Sequence, residues 1–542
     1  MQIKDLILCL IIIAVSLLLM FLCKRDTVKY NNKWRLLYLL PILICFFHAL
    51  FVGVEFCMTG IYLGSFLLLG GYIRTEESPR RLCAIIAIAL CVLSVPVCCL
   101  SDGYRRATYL ADFEEGFDTM KEHYSLTMHK QVDWDALYDK YQPLFSEVDK
   151  TQDETAYFTT WNAFCNEFYD CHTSFSPLEP TEEWTKKLAS SLLGNDYGLS
   201  IAQLTSGEYV AASVAPDSAA ATAGITTGTI ITKWDNKAIT EWLPEANARM
   251  RQCMVIGNVE NEQFYEPLFV AGIGGDEVQV SYLANDGTEQ TITLSSMGNY
   301  YDRFMTTYYA LNYKTPGENM GVVSLNSDTI LLNINIMAFD SSTTGNADYS
   351  SMQSKLRDQF IAYREEGVSN LIIDLRNNAG GSSMMARAIV ALVAEGEIFW
   401  AADGAYNETT GDYDVIKEYT CVGENLFDGG KVIVLVNSGS NSAANHLMAG
   451  INQLDNVTVM GITEAAGTAQ GMTSIPLHHG MLSFSMTTVL DENGNIWVDS
   501  DASGHSRLLV DEKIPLTRES LEMMLFSGED YVLNYALEQL EK

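Results

Sequence analysis

VIVLVNSGSNSAANHLMAG, residues 432–450, carries the question of the fold and of the chemistry together. An apolar run from Val432 to Val436 stops at Asn437, and Ser438, Ser440 and Ser442 follow before a small-residue helix start. A continuous apolar run bounded by turn residues suits a strand buried on both faces. A tight turn after such a strand can expose a hydroxyl, and the N–H groups opening the next helix offer donors and a positive dipole end. The same serines can also cap that helix, so this segment alone leaves nucleophile and cap open.

A second segment has the same grammar. NLIIDLR, residues 370–376, is an apolar strand entering NNAGGSS, and the helix-like MMARAIVALVAEG follows. Two strand–turn–helix units predict a partly parallel sheet within an α/β region at 298–542, with ligands at the strands' carboxyl ends.

Working back along the chain, residues 193–297 change character. YGLSIAQL, YVAASVA and TIITKWD are β-like, and PDSAAATAGITTG between the last two suits a short helix and a glycine turn. Residues 108–190 read as helical. Trp134, Leu137, Tyr138 and Tyr141 share one helix face, Pro143 is expected to interrupt it, and a second helix is expected from Glu154 to about Tyr169.

The first hundred residues hold four apolar runs, at 6–22, 36–54, 61–73 and 82–100. A helix needs about 20 apolar residues to cross a bilayer, so residues 1–104 are expected to form four transmembrane helices. The loops with Lys24, Arg25, Lys29, Lys33, Arg35 and with Arg74, Arg80, Arg81 outweigh Lys4, Arg105 and Arg106. That bias places the basic loops in the cytoplasm and the rest of the chain outside it. Glu55, costly in hydrocarbon, is expected at a short outer loop.

The formal net charge is −34, concentrated after residue 107, and such a surface repels nucleic-acid phosphates. Most of the 12 cysteines precede residue 100. Cys165, Cys171, Cys253 and Cys421 follow with no CxxC pair, which leaves room for one or two disulfides but argues for no zinc site. His478 and His479 are adjacent and diverge in a strand, a weak metal signal. No cofactor is expected.

Together, NLIIDLRNNAGGSS and VLVNSGSNSAANHLMAG resemble the serine peptidases of the C-terminal-processing and tricorn type. The resemblance implies that Ser442, in SNSAAN, is the nucleophile. It implies that Gly380 and Gly381 are the family's glycine pair, and that a backbone amide there and that of Ala443 form an oxyanion hole. Asn445 stands where the family has a glutamate, and Asp374 and Arg376 match with a structural role. Many members pair the serine with a later lysine; here that position is Gly467, and no lysine lies between Lys431 and Lys513. The tricorn-like branch uses a histidine from the preceding helical domain. VDWDALYDKYQPL and YDCHTSF resemble that domain and put His172 on the histidine, with Cys171 as an unusual neighbour. An imidazole suits the task, since its pKa lies near neutrality. The late acid falls on Asp501, with Asp499 and His505 as competitors. His446, one helical turn after Ser442, is a weaker candidate base. Residues 193–297 are similar to a PDZ domain, which implies that Gly198, Leu199, Ser200 and Ile201 form a peptide-carboxylate loop; a domain that only packs against the catalytic unit is the alternative.

The expectation is therefore a multidomain, multi-pass cell-membrane protein: N-terminal transmembrane α-helices, a helical segment, a PDZ-like β domain and an α/β catalytic core. It is a serine endopeptidase acting on protein or peptide substrates outside the cytoplasm. The alternative is a catalytically inactive relative serving as a peptide-binding sensor or scaffold.

Overall fold

The structure, a computed structural model, describes residues 108–338 and 349–542 with a few positions between 63 and 90. The helical region opens with α1 (Tyr109–His123), α2 (Trp134–Thr151) and α3 (Glu154–Cys165). Asp133 and Asp153 cap α2 and α3, each accepting a backbone N–H at 3.0 Å. Contrary to expectation, α2 runs through Pro143. Proline leaves the Asp139 carbonyl without its helical donor, but Asp139 is exposed, so water can take the bond. The buried face of Trp134, Tyr141, Phe145 and Val148 continues past the proline and holds the helix. The third helix stops at Cys165, short of Tyr169, because a 3-10 turn follows and Tyr169 takes a left-handed φ of +43°. Aromatic rings fill this region: Phe113 stacks on Phe145 at 4.3 Å and Trp161 on Phe175 at 4.6 Å. Phe175 lies in β1 (Ser174–Ser176), ahead of α4 (Glu182–Leu193).

Among the described residues, no helix is long and apolar enough to cross a membrane. This overturns the expected N-terminal transmembrane helices, and with them the multi-pass membrane localisation. The longest described helix, α2, has 18 residues but carries Asp135, Asp139, Lys140, Glu147, Asp149 and Lys150, charges that hydrocarbon does not tolerate. The four apolar runs lie almost wholly outside the described residues.

The middle region has two sheets. Strands β2 (Leu199–Gln203) and β3 (Tyr209–Val214) pair antiparallel. A four-stranded sheet has the order β5-β4-β6-β7, from β4 (Ile231–Trp234), β5 (Lys237–Ala238), β6 (Glu277–Leu283) and β7 (Glu289–Ser295). Helices α5 (Ile239–Cys253) and α6 (Val259–Val270) fall between β5 and β6, and α7 (Tyr301–Leu311) leads out.

The α/β region is built on β8 (Met320–Ser324), β9 (Thr329–Ile334), β10 (Asn370–Asp374), β13 (Val432–Leu435), β14 (Val457–Gly461) and β18 (Glu512–Lys513). Their order is β18-β14-β13-β10-β9-β8, parallel except for the β8–β9 pair. Alternation along the strands serves both faces. Leu371, Ile373, Val432 and Val434 join one core with α8 (Tyr349–Glu365), α9 (Ser383–Val393) and α10 (Ala443–Ile451). Ile372, Ile433 and Leu435 join the other, with α11 (Tyr531–Leu540) and the middle region. Strands covered on both faces explain the unbroken apolar runs of the sequence. A long hairpin, β11 (Glu395–Asn407) and β12 (Asp412–Glu424), pairs with β17 (Val489–Leu490), and β15 (Met472–Pro476) and β16 (Met481–Ser485) join β1 in a three-stranded sheet. Cys165, Cys171, Cys253 and Cys421 are all free thiols.

Arg376 locks the carboxyl end of β10. Its guanidinium bonds both oxygens of Asp374, both of Asp530 and the Tyr313 carbonyl, at 2.6–3.0 Å. All three charged groups are buried. Removing one partner of a buried ion pair strands the other. Asp530→Ala is therefore expected to lower the unfolding free energy by about 3–5 kcal/mol, read from urea denaturation; a loss under about 1 kcal/mol, the surface-pair range, contradicts this.

Candidate active site

Three adjacent parallel strands, β10, β13 and β14, end on the same side, so the loops after them lie together. Leu371 pairs with Val432, and Val432 with Val457, which keeps the strand ends level. The loops are NNAGGSS, NSGSNS and ITEAAGTAQ.

Ser442 opens α10 with φ +55° and ψ −119°. A non-glycine residue in that region is strained and persists only when its surroundings enforce it. Those surroundings are visible. The Ser442 N–H donates to the Thr468 carbonyl at 3.0 Å and to Asn441 Oδ1 at 2.7 Å. Asn445 Nδ2 donates to the Ser440 carbonyl at 2.9 Å, while its Oδ1 accepts the Gly467 N–H at 3.3 Å. The residue that departs from the family pattern thus braces the serine turn against the third loop. Ser440 is buried, its Oγ donating to the Leu375 carbonyl at 2.8 Å, and Ser438 Oγ lies 2.7 Å from the Tyr265 hydroxyl. Ser438 and Ser440 are therefore tied into the scaffold.

The glycine pair sits against Ser442. A Cβ on Gly380 would lie 2.4 Å from Ser442 Cβ and 2.9 Å from the Ala443 nitrogen, and φ there is +99°. Only glycine allows that approach. The Gly380 N–H is taken by Asn378 Oδ1 at 2.8 Å. Gly381, at φ +127°, packs its Cα on the Met337 carbonyl. The Ala443 N–H is the first of its helix, where no intrahelical acceptor exists.

His172 lies within a turn closed by the Thr173 N–H on the Asp170 carbonyl at 2.8 Å. The Asp170 carboxylate accepts the His172 N–H at 2.9 Å, Thr173 Oγ1 at 3.0 Å and the Tyr124 hydroxyl at 3.1 Å. The His172 ring is buried, and its Nδ1 has no partner. Thr468 joins this loop to the serine. Its carbonyl takes the Ser442 N–H and its Oγ1 takes the Cys171 N–H at 3.0 Å. One fully buried threonine therefore anchors the backbone at Ser442 and beside His172.

The acids separate by environment. Asp501 folds onto its own turn, accepting the Ser503 and His505 N–H groups at 2.8 and 3.0 Å, and these bonds hold its pKa down against slight burial. Asp499 is buried and accepts Gln470 Nε2 at 2.6 Å and the Ala469 N–H at 3.3 Å. Burial, then the Asp170 charge, push Asp499 up to about 6, while Lys130, the Gln470 bond and His172 pull it down. Of the two, Asp499 is the one whose charge reaches His172. His505 pairs with Glu260 at 2.8 Å on the surface. His446 is spoken for: its Nε2 lies 2.6 Å from the Ala469 carbonyl, and burial pushes its pKa down to about 4, with the His172 ring adding to this.

The expected carboxylate loop of the middle region lies at the start of β2. Leu199, Ser200 and Ile201 are fully buried. The Gly198 N–H donates to Asp196 Oδ1 at 2.8 Å, and Arg303 holds that same carboxylate at 2.7 and 3.0 Å. Sequence reasoning missed Thr468, Asp170 and Asn258. Asn258 Nδ2 donates to the Ala465 carbonyl at 2.8 Å, carrying the start of α6 onto the loop that supports Ser442. No pattern in the sequence marks these braces, although D-C-H does place a carboxylate two residues before the imidazole. Among the described residues, no group of three His, Cys, Asp or Glu is placed to hold a metal ion.

A hydroxyl on a strained turn, with backbone donors beside it and an imidazole loop tethered to it, is an arrangement suited to acyl transfer. Comparison with known proteins agrees in kind. Residues 331–500 match the family model described as Peptidase family S41, and residues 105–160 match that of the Tricorn protease C1 domain. No curated protein matches the chain in sequence. A mutant of CPAF is similar in structure at 11% identity, covering 81% of this chain and 97% of its own, with a TM-score of 0.51. The photosystem II D1 C-terminal processing protease, at 16% identity, covers 78% of this chain and 98% of its own with a TM-score of 0.32. The tricorn protease, at 13%, covers 81% and 37% with a TM-score of 0.35. Residues 331–500 thus resemble a serine-type peptidase family, and the likeness to CPAF is one of fold.

The raised Asp499 acid has a consequence for stability. Its native value of about 6 exceeds the unfolded value of about 3.9. Between those values the native state binds more protons than the unfolded one, so this group lowers stability as pH rises. Relative to Asp499→Asn, the wild type is expected to lose stability from pH ~4 to ~6, followed by urea midpoints. A constant difference across that window contradicts the assignment.

Proposed function

We propose that this serine-type peptidase works through Ser442 as nucleophile and His172 as general base. Ser442 Oγ attacks the substrate carbonyl while the imidazole takes its proton. The tetrahedral intermediate collapses as the imidazolium returns that proton to the leaving amine. Water, deprotonated by the same ring, then hydrolyses the acyl-enzyme. The observation that carries this reading is the double hold of Thr468, which fixes the Ser442 N–H and the Cys171 N–H on one residue.

Backbone donors receive the developing oxyanion. With the Gly380 N–H occupied by Asn378, Gly381 and Ala443 are the amides this reading assigns. Asp499, rather than Asp501, is the acid assigned to stabilise the imidazolium. The unpartnered Nδ1 of His172 is where such a contact forms as the ring takes a proton.

A lysine base is disfavoured by where the buried lysines go. Lys314 Nζ donates to the Ile334, Asp374 and Arg376 carbonyls, and Lys130 Nζ to Ser500 and Tyr169. The alternative, an inactive peptide-binding relative, draws its support from the missing later lysine and from the Asn445 and Cys171 departures; of these, Asn445 has a bracing role.

The test is labelling by a fluorophosphonate probe together with turnover of unfolded protein. Ser442→Ala is expected to abolish labelling and cut turnover by about 10⁶-fold. His172→Gln is expected to cut both by about 10²–10⁴-fold. Labelling of Ser442→Ala at the wild-type rate would falsify the nucleophile.

A further inference from the structure

Behind the His172 loop lies a buried ammonium that the reaction above leaves without a role. Lys130 is only 7% exposed. Its Nζ donates to the Ser500 carbonyl at 2.6 Å, Ser500 Oγ at 2.6 Å and the Tyr169 carbonyl at 3.2 Å. Ser500 Oγ passes the tie on, its one proton within reach of the Tyr169 carbonyl at 2.8 Å and the Gly257 carbonyl at 2.9 Å. The bonded residues are telling: Ser500 follows Asp499, and Tyr169 precedes Asp170. The ammonium thus fills its three donors with neutral oxygens, while the buried carboxylates of Asp499 and Asp170, next in sequence to the residues it bonds, act on its charge.

Those carboxylates need it. Asp170 and Asp499 are each 1% exposed, and two buried like charges cannot both stay ionised without compensation. We propose that Lys130 is a positioning residue for the peptidase reaction: its charge keeps Asp499 ionised beside His172, and its three bonds hold the acid segment and the histidine segment in register. This rests on the reading of Ser442 and His172 as nucleophile and base.

The surrounding charges leave this role to Lys130. Burial pushes the lysine down, and Asp499, then Asp170, Asp501 and Cys171 offset this only in part, so it stays below its usual value. His129 touches the Asp499 and Ser500 carbonyls at 3.3 and 3.0 Å, but burial and then Lys130 push it down to about 4, so it is neutral near pH 7. Arg507 acts on His129 only weakly. Tyr124 and Tyr413, which face Asp499, are raised by burial and stay neutral. Loss of a nearby positive charge raises a carboxylate pKa and an imidazole pKa alike. The acid limb of activity therefore moves up whichever step of the coupled pair it reports.

The experiment compares pH profiles of fluorophosphonate labelling in the full chain. Lys130→Met is expected to move the acid limb up by about one to three pH units. Asp170→Asn, which removes a neighbouring negative charge, is expected to move it down. Its new amide still accepts the His172 N–H, and the Tyr124 and Thr173 hydroxyls can turn to accept from it. The double variant Lys130→Met/Asp170→Asn is expected to return the limb towards wild type. A wild-type limb in Lys130→Met with only a lower rate overturns the charge role. So does a double variant as displaced as Lys130→Met, or an Asp170→Asn limb that does not fall. If Lys130→Met does not fold, the Asp170→Asn limb decides: a limb that does not fall overturns the charge role. Failure of the parent reading is distinct: Ser442→Ala then labels as wild type does. Silence in Ser442→Ala with an unmoved Lys130→Met limb defeats this inference alone.

Discussion

The hydrogen bonds of Thr468 are the constraint on which the site depends. Its carbonyl holds the N–H of Ser442 and its hydroxyl holds the N–H of Cys171. The first is one of the bonds that keep Ser442 at a strained φ of +55°, beside the Asn441 and Asn445 contacts. Without the second, the His172 loop has no tie to the serine turn through this residue. The threonine can serve both only because β10, β13 and β14 run parallel and level, so that three loops leave the sheet side by side. Sheet register, loop placement and side-chain chemistry form one chain of causes.

Around this tie the protein uses close approach in place of bulk. Gly380 lets its loop touch Ser442, and Gly257 lets the start of α6 reach the Ala466 carbonyl and Cys171 Sγ. Asn445 and Asn258 then fill the backbone needs of loop 464–467 from opposite sides. Buried amides fit this task, since each offers a donor and an acceptor without charge. Charge is concentrated instead in two buried clusters. Asp374, Arg376 and Asp530 lock the end of β10, and Lys130, Asp170 and Asp499 act on one another's charge near the His172 segment.

Much of this architecture was legible in the sequence. NLIIDLR and KVIVLVN announced strands buried on both faces, and both stand in the parallel sheet. The α/β core and the β character of the middle region followed from period and turn residues. Other features were hidden for physical reasons. Pro143 looked like a break because propensity is local, whereas the helix is held by tertiary burial of Tyr141 and Phe145. The motif points to Asp501 with Asp499 as a competitor; that Asp499 is the buried one of the two is a property of the folded turn, which spacing does not record. Thr468 and Lys130 act on backbone groups some 30 to 370 positions away, which no spacing rule records. Hydrophobic runs suggested membrane helices, yet no described helix meets the length and apolarity that crossing requires.

A crystal structure of the enzyme inactivated by a peptidyl phosphonate would test the central claim most directly. The expected adduct has phosphorus bonded to Ser442 Oγ, its oxygen facing the Gly381 and Ala443 N–H groups, and a His172 ring nitrogen within about 3.2 Å of the serine oxygen. An adduct on another residue, or an imidazole turned away with the loop still bound to Thr468, would contradict it.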